Sequence, residues 1–200
     1  MPTDPPHVLR GRLPAYVGTS VAVRQSGYRK GVPSAAAELA RLRRAYGKAP
    51  GEVLDVATET AVDPGLFGVP PDDAPTRVEW AVHLAVCLHA HHQQSVTESG
   101  MHRQGVGFGR AVGELMNAET QHADALRKRF TAAGTATDLD ELAVHLRGLI
   151  GRLRQHRIAL DYGRLAADLF AWQDPAEVPG VRMAWSRDLY TARKADKEQE

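Results

Sequence analysis

His83, Cys87 and His91 follow one another at four-residue spacing, which on a helix places all three on one face. Imidazole and thiolate are common zinc ligands, and His89, His92 or His102 could supply a fourth. Helix geometry limits the set. From His83 to His91 the axis rises about 12 Å at ~1.5 Å per residue, so one ion with bonds of about 2 Å reaches a neighbouring pair but not both ends. There is also no Glu-x-x-His pair of the kind that builds a di-iron bundle. The three residues therefore read better as core and boundary side chains, and Cys87, in an apolar run, as an inert buried thiol. A small helical metal-binding enzyme built on them remains the competing reading.

Other chemistry is sparse. Gly105-Val-Gly-Phe-Gly109-Arg110 has the glycine spacing of a loop that cradles phosphate at a helix start. It follows no strand and lacks a Gly-Lys-Ser/Thr ending, so as a nucleotide fingerprint it is weak, although a helix N-terminus beside Arg110 could meet a backbone phosphate. No Ser/His/Asp or Cys/His arrangement is visible, and Asp72 and Asp73 lie in a proline-rich turn rather than in a carboxylate cluster for Mg²⁺. What remains is arginine and lysine on helix surfaces: Arg41, Arg43, Arg44, Arg110, Arg127, Lys128, Arg129, Arg147, Arg152 and Arg154. The guanidinium fork bonds two phosphate oxygens at once. Taken alone, this pattern fits nucleic-acid binding and an ordinary solvated surface equally.

The elements that must position these residues are helical. Thr76 and Glu79 form a capping-box start, and from Val78 to Ala90 almost no polar face is left. Such a helix must be wrapped by protein, and it is too short to span a bilayer. Around it the periodicity predicts helices over 15–28, 35–46, 52–60, 108–116 and 118–133, then a helix after Asp138 carrying Leu142, Leu146, Leu149 and Leu153, and two more over 161–172 and 181–192. Arg147 and Arg154, seven apart, stack along one flank of the Asp138 helix. Prolines and glycines make 63–75 a loop, and 95–107 reads as a hinge. No run of alternating β-branched residues occurs. The expectation is an all-α bundle of about eight helices in two packed halves, 13–100 and 101–195, with a mobile arm over 1–12 and a charged tail over 193–200.

The 200 residues are 43% hydrophobic and 24% charged, enough for one soluble domain or two small halves. One cysteine excludes an internal disulfide, and no apolar leader follows Met1, so the expected location is the cytoplasm. The net charge of +1 conceals blocks: residues 1–48 hold nine Lys/Arg against two Asp/Glu, while residues 49–100 hold one against eight. A basic side suits a phosphate backbone, and an acidic side repels it and suits a basic partner.

The order of motifs carries a resemblance. Leu39-Ala-Arg-Leu-Arg-Arg44, the Glu79–Gln93 helix, Gly107-Phe-Gly-Arg110, Arg127-Lys-Arg-Phe130, His145-Leu-Arg-Gly-Leu-Ile150, Ile158-Ala-Leu-Asp-Tyr162, Leu165-Ala-Ala-Asp-Leu169 with Trp172, and Trp185-Ser-Arg-Asp-Leu-Tyr190 follow in turn. The series resembles the CasB family, the small subunits of the type I-E CRISPR surveillance complex Cascade, over about residues 15–192. The resemblance implies an all-α subunit without catalytic residues or cofactor. It implies guide-RNA-bound backbone subunits and a second copy of the chain as partners. It also implies a grip on opened target DNA, chiefly the displaced strand, while base pairing reads the sequence. By position Arg43, Arg44, Arg110, Lys128, Arg129 and Arg147 match basic places of the family, with Arg127 and Arg154 as second choices. Gly148 stands where some relatives continue the basic run, which implies a thinner grip beside Arg147. A pure protein scaffold, whose basic faces dock acidic surfaces, is the third reading.

Overall fold

The structure, a computed structural model, describes residues 4–197 and side chains through residue 192. Among the described residues the chain is all-α, with ten α-helices, two single 3₁₀ turns and no strand. The helices are α1 (Pro6–Arg29), α2 (Pro33–Ala45), α3 (Ala57–Thr60), α4 (Pro64–Phe67), α5 (Arg77–His92), α6 (Phe108–Ala118), α7 (Ala123–Thr135), α8 (Leu139–Gln155), α9 (Tyr162–Trp172) and α10 (Val178–Lys197). The count slightly exceeds the expected eight or so, and the element with no counterpart among the expected helices is α4, a single turn inside the proline-rich loop. It is started by Asp63, whose side chain accepts from the Gly65 N–H at 2.8 Å.

Helix α5 is the axis. Its capping box is present: the Glu79 N–H donates to Thr76 Oγ1 at 3.2 Å, and the Thr76 N–H donates to Glu79 Oε2 at 2.7 Å. Twelve of its sixteen residues are buried, and α1, α2, α8 and α9 enclose it. One continuous cluster includes Leu13, Val21, Leu39 and Leu88 from the first hundred residues and Phe108, Leu146, Leu165 and Trp185 from the second.

Helix α1 begins earlier than the sequence suggests. Leu9 and Leu13 extend the Val17–Val21 stripe by two further four-residue steps, and all four are buried. Residues 6–12 are therefore helical, and residues 1–3 lie outside the described residues. Pro14 sits inside the helix, where a missing N–H normally disfavours continuation. Tertiary packing overrides that cost. Gly163 at the start of α9 lies so close that a Cβ there would collide with the Pro14 carbonyl oxygen. The last helix likewise runs on to Lys197, into the region read as a tail.

The 93–107 segment is pinned at both ends. The Gln93 amide donates to the Val96 and Ser99 carbonyls and accepts from the Met101 N–H, while Gln25 of α1 accepts from the His102 N–H at 2.9 Å.

Of the glycines in Gly105–Arg110, Gly105 takes a left-handed turn at φ 83°, and Gly107 and Gly109 serve packing rather than phosphate. Gly109 abuts the Trp185 backbone and Gly113 abuts Ala192, which lets α6 lie along α10. A Cβ at Gly107 would collide with Asp188, whose carboxylate pairs with Arg164 at 2.8 Å. The anion beside the start of α6 is thus the chain's own Asp188.

Candidate nucleic-acid interface

The predicted cations divide into two groups once their surroundings are seen. Arg43 and Arg44 close the last turn of α2, with Arg44 exposed and Arg43 half-buried. Burial lowers the Arg43 pKa, and the nearby charges of Arg44 and Arg154 lower it further, which places Arg154 of α8 in the field of α2. Arg147 lies two turns earlier on α8, its guanidinium 4.9 Å from the centre of the Tyr46 ring, a stack that fixes the fork while leaving it charged. Arg154 Nη1 donates to the His91 carbonyl at 3.1 Å and to Gln94 Oε1 at 3.0 Å, so it caps the C-terminal end of α5.

Helix α8 packs on the His91 ring, and the charge of Arg43 on α2 acts on it. Burial pushes its pKa down to about 4, with the charges of Arg154, Arg147 and Arg43 adding to the effect. Gly151 faces the ring, and a Cβ there would sit 3.4 Å from His91 Nε2. Gly148 is open except for Arg129 of α7, whose Nη1 would lie 4.0 Å from a Cβ at that position. Arg147, Gly151 and Arg154 thus share one face of α8, with the His91 ring on the glycine between the two arginines and Gly148 open at its side. Among the described residues no acid pairs with Arg43, Arg44, Lys128, Arg129, Arg147 or Arg154.

Arg110 and Arg127 are placed differently. Arg110 pairs with Glu114 on its own helix at 3.0 Å, and Arg127 faces Asp124 at 3.9 Å. Among the contacts described, none links Arg110 or Lys128 to the group around His91. Arg41 is held by Glu59 at 2.5 Å, and Arg152 by the buried Glu119. Of the cations expected from the sequence, Arg110, a first choice, and Arg127, a second, thus carry acid partners, and the arginines without one include those around His91. Its place at the C-terminal end of α5 was visible; its arginine neighbours, distant in sequence, were not.

The other members of the candidate metal set do not assemble one. His83 Nε2 lies 3.3 Å from the Ala45 carbonyl oxygen, and Cys87 Sγ is 3.8 Å from that nitrogen. Burial pushes the Cys87 thiol up to about 12, away from the thiolate a metal needs. His91 faces three cations, surroundings that repel a metal ion. His89 and His92 are buried around Tyr162, with His92 Nδ1 2.9 Å from the phenol oxygen. Among the described residues no three His, Cys, Asp or Glu side chains converge on a metal-sized site. No helix among them is long and apolar enough to cross a membrane.

The comparisons with known proteins agree with the fold. The family model for the CRISPR-associated protein Cse2 matches residues 38–190. The crystal structure of CasB from Thermobifida fusca superposes with a TM-score of 0.76 at 35% identity, covering 89% of this chain and 97% of that one. A chain of a CRISPR RNA-guided surveillance complex gives 0.67 at 21% identity over 92% of this chain and 99% of its own. The crystal structure of M. ruber CasB gives 0.60 at 26% over 82% and 87%. Comparison with curated proteins gave no match. With its all-helical core and a family match spanning most of its length, the chain belongs to the Cse2 family of CRISPR-associated proteins.

Proposed function

We propose that the chain is the non-catalytic small subunit of a type I-E Cascade, where it grips nucleic-acid backbone and stabilises the R-loop and its displaced strand in antiviral defence. Family membership and the likeness to a chain of an RNA-guided surveillance complex support the assembly. The observation that carries the grip is the meeting of Arg43, Arg147 and Arg154 from two helices beside the end of a third, with no acid among them. Exchange of a DNA duplex for an RNA–DNA duplex is nearly balanced, so a few phosphate contacts tip it. Guanidinium groups hold phosphates without reading bases, which suits a subunit that must accept any target. The partners are guide-RNA-bound backbone subunits, a second copy of the chain and opened target DNA. Arg44 and Arg129 extend the contact on either side. Arg110, Arg127 and Lys128 contribute less, the first two because an acid already screens them.

The test is charge reversal at Arg43 and Arg44 within the assembled complex. R-loop lifetime shortens about tenfold or more at moderate salt, while assembly and the melting temperature of the chain are unchanged. An unaltered lifetime would rule out this surface as the grip.

A further inference from the structure

Resting on the reading above, we propose that His91 is a phosphodiester contact within the Arg43–Arg147–Arg154 cradle, and that seating a nucleic-acid backbone there takes up one proton at its ring. The geometry comes first. His91 ends α5, so its position is fixed by the most enclosed helix of the fold. Its backbone carbonyl accepts from Arg154 of α8, and its ring lies against Gly151 of the same helix. Nε2 packs against Gly151, where the absence of a side chain makes room for the ring beside α8. Arg147 lies four residues before that glycine and Arg154 three after, so both arginines leave α8 on the face that carries the ring, and a phosphate at the edge of the ring lies in the field of both.

The charged groups around the ring all have one sign. The charges of Arg147 and Arg154 act on it from α8 and that of Arg43 from α2, and Tyr28 of α1 acts in turn on Arg43. On its own helix the neighbouring His92 turns inward to Tyr162. Burial and the three cations keep the ring neutral in the free protein at physiological pH. An anion in the same space reverses that field and offers an acceptor oxygen. The imidazole then holds a proton on each nitrogen, and Nε2–H donates to the phosphate. The proton comes from solvent; no bond to phosphorus forms or breaks.

The sign follows from linkage. A group with a higher pKa in the bound state tightens binding as pH falls through that bound value and has no effect well above it. One proton changes affinity by at most about tenfold per pH unit. Binding of a fluorescein-labelled thirty-nucleotide single-stranded DNA to the full chain should be followed by anisotropy at low, constant ionic strength from pH 8.0 to 6.0. The wild type, His91→Gln and the Arg43→Glu/Arg44→Glu variant are compared, with calorimetry in two buffers of different ionisation heat to count protons. The expected result is that the wild type gains about threefold or more over His91→Gln between pH 8.0 and 6.0, and takes up more protons than that variant. Equal pH profiles and equal proton uptake overturn the proposal while leaving the cradle intact, provided the double reversal still weakens binding. Wild-type affinity in the double reversal, or no binding by the wild type at low salt, overturns the cradle and His91 together.

Discussion

Arg152 and Arg154 stand two residues apart on α8 and live in opposite worlds. Two residues turn the helix by roughly 200°, so one faces the α6–α7 junction and the other faces α5. Arg152 is bonded to Glu119, whose side chain is 5% exposed and lies 2.8 Å from the His156 ring. Arg154 finds only a carbonyl and the Gln94 amide oxygen, and its charge stays available. The Glu119 knot joins the end of α6 to the end of α8, whereas the cradle around His91 leaves its cations open to an outside anion. The difference teaches that an arginine's role is set by the acid it does or does not meet, not by its own chemistry or its spacing.

Removing the acid breaks one side of the comparison. Glu119→Ala leaves Arg152, 34% exposed, and His156 without their partner. Part of the charge returns to water, so the cost is about 1.5–2 kcal/mol of stability, read by denaturant unfolding. DNA affinity of the folded protein is unchanged; a parallel loss of affinity would mean the two regions are one.

Adding an acid breaks the other side. Gly148→Glu replaces a poor helix former at an exposed position beside Arg129 and Arg147. Stability rises by about 0.5 kcal/mol while DNA binding falls roughly tenfold. Opposite signs in unfolding and binding assays are the signature of a surface kept free of acids for a ligand.

Asp168 offers a third environment, an acid that is buried without an ion pair. It accepts from Trp185 Nε1 at 2.8 Å, and burial pushes its pKa up to about 6. A carboxyl raised in the folded state favours folding at low pH, and that contribution is lost as pH rises from about 4 through about 6. Asp168→Asn keeps the acceptor and removes the charge. It should gain about 1 kcal/mol at pH 7.5, with the gain vanishing below pH 4, as thermal unfolding at several pH values will show. The smallest effect is at Arg110, already matched by Glu114: Arg110→Ala should alter DNA affinity by less than about twofold. A larger drop would extend the cradle to α6.

The capping box at Thr76, the apolar α5 and the leucine ladder of α8 were legible because each depends on neighbours three or four residues away. The start of α1 was not. Pro14 argues locally for a break, and only the α9 backbone packed on it through Gly163 keeps the helix whole. The glycines before α6 were legible as unusual but not in purpose, since their partners lie on α9 and α10.

From residue order alone came the all-helical class, the family resemblance and the roster of cations, for these are local or compositional properties. Which cations stand together was decided by packing. Arg43 and Arg154 are more than a hundred residues apart, and only the seating of α2 and α8 on the end of α5 brings their charges to one histidine. Side-chain periodicity assigns a residue to a face of its own helix; which helix that face meets depends on the burial of the whole core.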